Sequence, residues 1–331
     1  MLTPAYRLVI GDRKVDTTDE PRASTVERLE VDLDLDAPAD SLRLRLGSVG
    51  GLTPAEDDAA TVELGYADEA SLTLVLTGGI VSVAPGLTVT HVIALSPAQK
   101  LLALRHEETF QDMSAGEIVR KLAEEAGLSV ARADAGTTFP AYVVDGRRSL
   151  YDHMRDLADL SGFLLFVDER GDVVFRPISQ PASTHVFEFA KHLVELEIER
   201  GDPEAGSVDV RGESPGTSRG EGSWAWLTKD SSGSRGTAGT GSPTRLLERP
   251  VLRTAESTQR AADSALASLS SRATRGRLRT FGRPQIRLGD SIRIKDVPDD
   301  RLNGDFRVRA VRHSIDKKTG FRTCVEFLGI P

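Results

Sequence analysis

One cysteine, Cys324, stands in a chain of 331 residues. A lone thiol excludes an internal disulfide framework and a cysteine-built zinc site, and it fits folding in a reducing compartment. Aromatic residues make up only 5% of the chain, too little for broad base-stacking platforms or carbohydrate-binding strips. No apolar run approaches the roughly 20 residues that span a bilayer. The N-terminal MLTPAYRLVIGDRKVD meets charge too early for a secretory signal core, so the mature protein is expected to be the whole chain. With 42 basic and 50 acidic residues the net charge is −8, which argues against a surface that embraces nucleic acid or anionic lipid all over.

Motifs of reaction chemistry are missing as well. The six histidines (His91, His106, His153, His185, His192 and His313) include no pair at the i,i+3 or i,i+4 spacing of a metal site. Asp32-x-Asp34-x-Asp36 opens like a calcium loop, but Ala37 stands where that loop needs Gly and Arg43 where it needs Glu. There is no Gly-x-Ser-x-Gly elbow and no Gly-x-x-x-x-Gly-Lys loop, and Gly220 and Gly222 lack the preceding buried strand of a dinucleotide fingerprint. No catalytic residue, metal site or cofactor is expected. Cys324 alternates with Thr323 and Val325 and is expected to be a small buried side chain.

What is present is mostly strand pattern. Val31, Leu33 and Leu35 alternate with Asp32, Asp34 and Asp36, and Leu42, Leu44 and Leu46 alternate with Arg43 and Arg45. Paired antiparallel, the two strands would bury one apolar face and oppose aspartates to arginines on the other. Further strands are predicted at 61–66, 72–76, 80–83 and 88–94, with Gly or Pro turns between them, so residues 1–100 read as a small barrel or sandwich. The period then changes. Ser114-Ala-Gly-Glu117 is a capping box opening a helix with Ile118, Val119, Leu122 and Ala123 on one face and Gly127 at its end. A second helix starts at Ser149, with Asp152 at its third position and Gly162 as its stop, and residues 163–175 read as a hairpin around DERGD. Residues 101–183 are thus an α/β segment inserted between β regions.

The remaining residues, 184–331, return to β pattern. Residues 211–243 hold eight Gly and seven Ser, predicting a flexible loop that Trp224 and Trp226 would staple down. A helix is predicted over 255–272, then strands around 291–294, 305–315 and 321–327. Charge is uneven: residues 1–100 carry 8 basic and 16 acidic groups, residues 271–331 carry 15 and 7. Within 272–295 eight basic residues face only Asp290. Arg275, Arg277 and Arg279 alternate and would share a strand face, and with Arg283 they are the candidate docking residues for an acidic partner. The bland alternative is a solvated face balanced by the acidic N-terminal region.

The run TFQDMSAGEIVRKLAEEAGL (109–128), followed by SLYDHMRDLADLSGFLLFVDERGDVVF (149–175), resembles the late control D family of contractile-phage baseplate hubs. GRPQIRLGDSIRIKD (282–296) and LNGDFRVRAVRHSIDKKTGFRTCVEF (302–327) resemble the closing part of the same family. The resemblance covers most of the chain in order, apart from 211–243, and similar modules form the N-terminal part of VgrG spikes. His153 stands where the family commonly has an aromatic residue. The resemblance implies an α+β, mainly β fold: two tail-tube-like barrels bridged by the α/β segment. It also implies a non-enzymatic trimeric adaptor between a sixfold inner tube and a threefold spike. Its implied partners are a homotrimer of this chain, an inner tube protein, a separate spike protein and other baseplate proteins, with no nucleic acid and no direct membrane insertion. Assembly would occur in the cytoplasm, into the baseplate of a phage-tail-like particle. In such a ring the acidic first region of one subunit would meet the basic last region of the next. The rival function is a baseplate-associated cell-wall hydrolase with Glu107 and Glu108 as acid and base.

Overall fold

The computed structural model describes residues 3–18, 25–47, 52–213 and 232–330. It is 49% strand and 17% helix, an α+β fold dominated by β. The N-terminal portion supplies β1 (Pro4–Ile10), β2 (Arg13–Asp16), β3 (Val26–Asp34), β4 (Ser41–Gly47), β5 (Ala59–Tyr66), β6 (Thr73–Pro85) and β7 (Val89–Leu95). The middle supplies α1 (Ala98–Ala103), β8 (Glu108–Ser114), α2 (Ala115–Glu125), β9 (Val130–Ala133), β10 (Thr138–Val144), α3 (Leu150–Ser161), β11 (Phe163–Val167) and β12 (Val173–Pro177). The remainder begins with β13 (Thr184–Glu188), β14 (Leu193–Arg200), β15 (Ser207–Arg211), β16 (Arg235–Gly239) and β17 (Thr244–Glu248). It closes with α4 (Ala255–Arg272), β18 (Thr274–Phe281), β19 (Ser291–Lys295), β20 (Gly304–Asp316) and β21 (Gly320–Gly329).

Strands from both ends of the chain join in one 13-stranded sheet with the path β14-β18-β21-β20-β3-β4-β7-β6-β5-β1-β2, extended at β20 by β19 and then β13. The seam is the antiparallel pair β3–β20, in which Leu33 lies opposite Val311 and Asp32 opposite Arg312. The alternation read in β3 and β4 has its expected geometry: Leu29 and Val31 face Leu44 and Leu42, all buried, while Glu30 stands opposite Arg43. Burying alternate apolar side chains sets this register, since a slip of one residue would turn every leucine to water.

Three of the helices, α2, α3 and α4, begin where side chains satisfy free backbone N–H groups. Ser114 with Glu117 and Ser149 with Asp152 form reciprocal capping boxes, and Gly162 ends α3 in the left-handed conformation, φ 72°. Thr254 caps α4 in the same way through Ser257. At position 153 a histidine packs where an aromatic ring would: its imidazole meets the Tyr142 ring edge-on, 6.1 Å between centroids, inside the helical core.

Several expectations need correction. The two short strands predicted at 72–76 and 80–83 are one strand, β6. Its Gly78 makes no turn; a Cβ there would collide with the Leu95 carbonyl, so glycine lets β6 run on past the end of β7. The expected loop over 211–243 is interrupted by β16, which pairs with β15 and lies under α4; a side chain at Gly236 would strike the α4 backbone at Thr258. Trp224 and Trp226 fall outside the described residues. The boundary expected at 183/184 does not divide the cores. One core unites the large sheet from Tyr6 to Phe327, whereas Val208, Val210, Leu252, Ala261 and Leu269 join Ile118, Leu122, Met154 and Phe175 in a second. The described parts of 205–269 therefore pack with the α/β segment.

Candidate docking site

The candidate arginines lie on β18 and just beyond it. β18 is flanked by β14 and β21, and β14 pairs with nothing else among the described residues. The register places Glu199, Glu197 and Glu195 opposite Arg275, Arg277 and Arg279, and each pair closes an ion pair, at 2.9, 3.1 and 2.9 Å. The basic strip is therefore matched rung for rung by an acidic one, and the face is an ionic ladder instead of a net positive patch. Glu195, Glu197 and Glu199 escaped notice in the sequence although they carry the same period-two signal, alternating with Val194, Leu196 and Ile198. Hydrogen bonding to Arg275 holds the Glu199 carboxyl below its ordinary range. Arg283 is not part of the ladder. Its guanidinium lies 5.0 Å above the Phe187 ring and donates to the Val186 carbonyl.

The ionic face continues across the seam. Arg309 on β20 engages Glu326 on β21 and also Asp34 (2.9 Å) and Asp36 (3.1 Å), while Arg312 engages Asp32, which Arg43 meets at 3.0 Å. The three aspartates that resemble a calcium loop are thus held by arginines. Asp36 is partly buried, which opposes ionisation, yet Arg272 and Arg309 keep its carboxyl below the usual range. The acidic first region and basic last region expected to attract each other between subunits meet here within one chain. Cys324 also belongs to this face: it is half-buried between Arg279 and Arg312, and not in the core.

Two clefts open beside the ladder. One of 660 Å³ runs along Glu197, Glu199, Arg275 and Arg277 to Arg272 and Arg309. The second, of 430 Å³, lies between α3, α4, β17 and the sheet, and shares Asp36, Glu204, Arg272, Arg309 and Leu328 with the first. Glu107 and Glu108 line neither; Glu108 pairs with His106 at 3.3 Å on an exposed surface. Exposed apolar side chains lie on or beside these strands: Val186 in β13, Phe189 between β13 and β14, Val194 in β14, and Phe281 at the end of β18.

The fold is one seen in phage-tail proteins. The 43 kDa tail protein of prophage MuSo2 from Shewanella oneidensis superposes with a TM-score of 0.74 at 12% identity, covering 98% of each chain. A tail protein from Neisseria meningitidis MC58 superposes at 0.72 with 14% identity, over 98% of this chain and 96% of that one. E. coli c3393, a type VI secretion component described as structurally similar to the T4 tail proteins gp27 and gp5, gives 0.61 at 12% identity, over 98% and 77%. No curated protein sequence matches the chain. The profile of the phage tail baseplate hub (GPD) family matches residues 41–319, and the chain belongs to that family.

Proposed function

We propose that this chain is the structural, non-catalytic hub of a contractile tail, three copies closing into a ring that joins a sixfold inner tube to a threefold spike. Residues 1–100 and the large-sheet strands of 184–331 are the two tube-like units of each subunit, so three chains present six similar units to the tube. Other baseplate proteins surround the ring, assembly takes place in the cytoplasm, and neither nucleic acid nor membrane is a partner. Membership of the hub family supports this reading.

The observation that carries the docking part is β14. Its outer edge has no strand partner among the described residues, and it displays one half of an ionic ladder beside the exposed Val194, Phe189 and Phe281. An open edge with unpaired backbone N–H and C=O groups is a template for pairing with another chain, and charges fixed along it select register and partner. Arg275, Arg277 and Arg279 act through this ladder, and Arg283 sits beside the apolar patch.

The test is a charge swap. Exchanging Glu195, Glu197 and Glu199 for Arg together with Arg275, Arg277 and Arg279 for Glu keeps every rung paired while inverting the pattern a partner meets. The swapped chain is expected to melt within a few degrees of the wild type and to lose assembly with the tube or with itself, read by native mass and sedimentation. Normal assembly of the swapped chain would remove the ladder from the interface.

A further inference from the structure

The cleft between α4 and the sheet ends on a charge with no partner. Arg307, the fourth residue of β20, has 9% of its surface exposed and lines the floor of the 430 Å³ cleft. Its Nε is enclosed, and among the described residues its side chain makes no hydrogen bond or ion pair. The neighbouring charges aggravate this, because Arg272 and Arg176 act on it with the same sign and, among the described residues, only Asp36 opposes them. Asp36 is already engaged by Arg272 at 3.0 Å and Arg309 at 3.1 Å. A buried cation without a counter-ion is strongly unfavourable, and four other arginines of this cleft are ion-paired, Arg155 with Asp159, Arg245 with Glu204, and Arg272 and Arg309 with Asp36. Apolar side chains, among them Leu160, Phe163, Leu164, Leu247, Ala265 and Leu269, share the walls of the cleft with the charged ones.

We infer that this cleft is a binding site for an acidic peptide segment of another protein, taking one Asp or Glu carboxylate onto Arg307 while apolar side chains flanking that residue fill the walls. A guanidinium offers a planar fork that a carboxylate meets through two hydrogen bonds. The size suits a short segment, within the range of ordinary ligand sites. A single carboxylate matches the one unpaired cation better than a multiply charged anion such as phosphate, since Arg155, Arg245, Arg272 and Arg309 already meet carboxylates. No residue of β14 lines this cleft, and the site stands whether or not the chain forms a ring.

The experiment pans a library of random linear peptides on the full chain and re-tests the enriched peptides on Arg307→Met and Arg307→Gln. The expected result is enrichment of peptides with one Asp or Glu between apolar residues, binding the two variants at least about tenfold more weakly and losing affinity when that residue becomes Asn or Gln. Without peptide, Arg307→Met is expected to melt at or above the wild-type temperature, as removing an uncompensated buried charge predicts. The site is overturned if no peptide is enriched, if the enriched peptides lack an acidic residue or bind Arg307→Met equally, or if inorganic phosphate alone binds in an Arg307-dependent way. A large drop in the melting temperature of unliganded Arg307→Met overturns it too, by making Arg307 a structural cation. Self-association of the wild type that Arg307→Met abolishes would overturn the foreign partner in favour of a second copy.

Discussion

Asp40 and His313 are both buried, and their shifts act on stability in opposite directions. Burial pushes the Asp40 carboxyl up to about 7 from 3.8, aided by Asp34 and Asp32, although the Asp34 N–H it accepts at 3.0 Å works the other way. Burial likewise holds the His313 imidazole down to about 3 from 6.5, with Arg287 adding to the effect. The raised carboxyl contributes stability that is complete below pH 3.8 and lost as pH climbs through about 7; the depressed imidazole contributes stability that is complete above 6.5 and lost as pH falls toward 3. Between about pH 4.5 and 6.5 the two slopes oppose, each up to about 1.4 kcal/mol per pH unit. In Asp40→Asn the His313 slope stands alone. Urea unfolding across pH 4.5–8 should show the variant losing stability on acidification faster than the wild type, and exceeding it at pH 8 by on the order of 2 kcal/mol. Parallel curves would mean that Asp40 does not titrate in this window.

Among the elements, β18 shows how one strand serves two faces. Its outward arginines form the ladder, while on its inner face Leu278 is buried and Gly276 lies opposite both Ile198 and Phe327. A Cβ at Gly276 would run into the Phe327 ring, so Gly276→Val should displace that ring and cost about 1–3 kcal/mol, seen as a lower denaturation midpoint. Reversing only Arg275, Arg277 and Arg279 to Glu sets three like-charged pairs across β14–β18. Each exposed rung is worth about 0.2–1 kcal/mol, so the triple reversal should cost about 1–3 kcal/mol and loosen β14, measurable as faster amide exchange over 193–200. Unchanged exchange would show that β14 is held by its backbone and by Leu196 and Ile198 alone. The arginine half of this ladder was legible from alternation, but its neutrality was not, because Glu197 and Arg277 lie 80 residues apart and only strand order makes them neighbours.

For the whole molecule, the pairing of β3 with β20 is the decisive event. It brings Asp32 against Arg312 across 280 residues and turns opposite charges at the two ends of the chain into one intramolecular lattice. The proposed ring then has less to gain from net charge attraction between subunits, and its contacts are expected to come from edges and fitted surfaces such as β14. Three chains of 35.7 kDa make a particle of about 107 kDa, the native mass expected for the ring alone, which should rise by the mass of the spike when the two are mixed and bind. If electrostatics between subunits is minor, that mass should persist from 0.05 to 0.5 M salt. Dissociation at high salt would restore the charge-driven contact, and a monomer unresponsive to spike and tube would remove the ring altogether.

Capping boxes at Ser114 and Ser149, the left-handed stop at Gly162, the alternation of β3 and β4 and the 255–272 helix were all readable from the chain, because each depends on partners within a turn or along one strand. The strand order, the continuity of β6 through Gly78, the burial of β16 beneath α4 and the isolation of Arg307 were not. Alternating strands are nearly interchangeable as partners when read one at a time. Which of them meet is settled by the joint burial of apolar faces contributed from distant parts of the chain, and that choice also places each charge beside a counter-ion or leaves it alone.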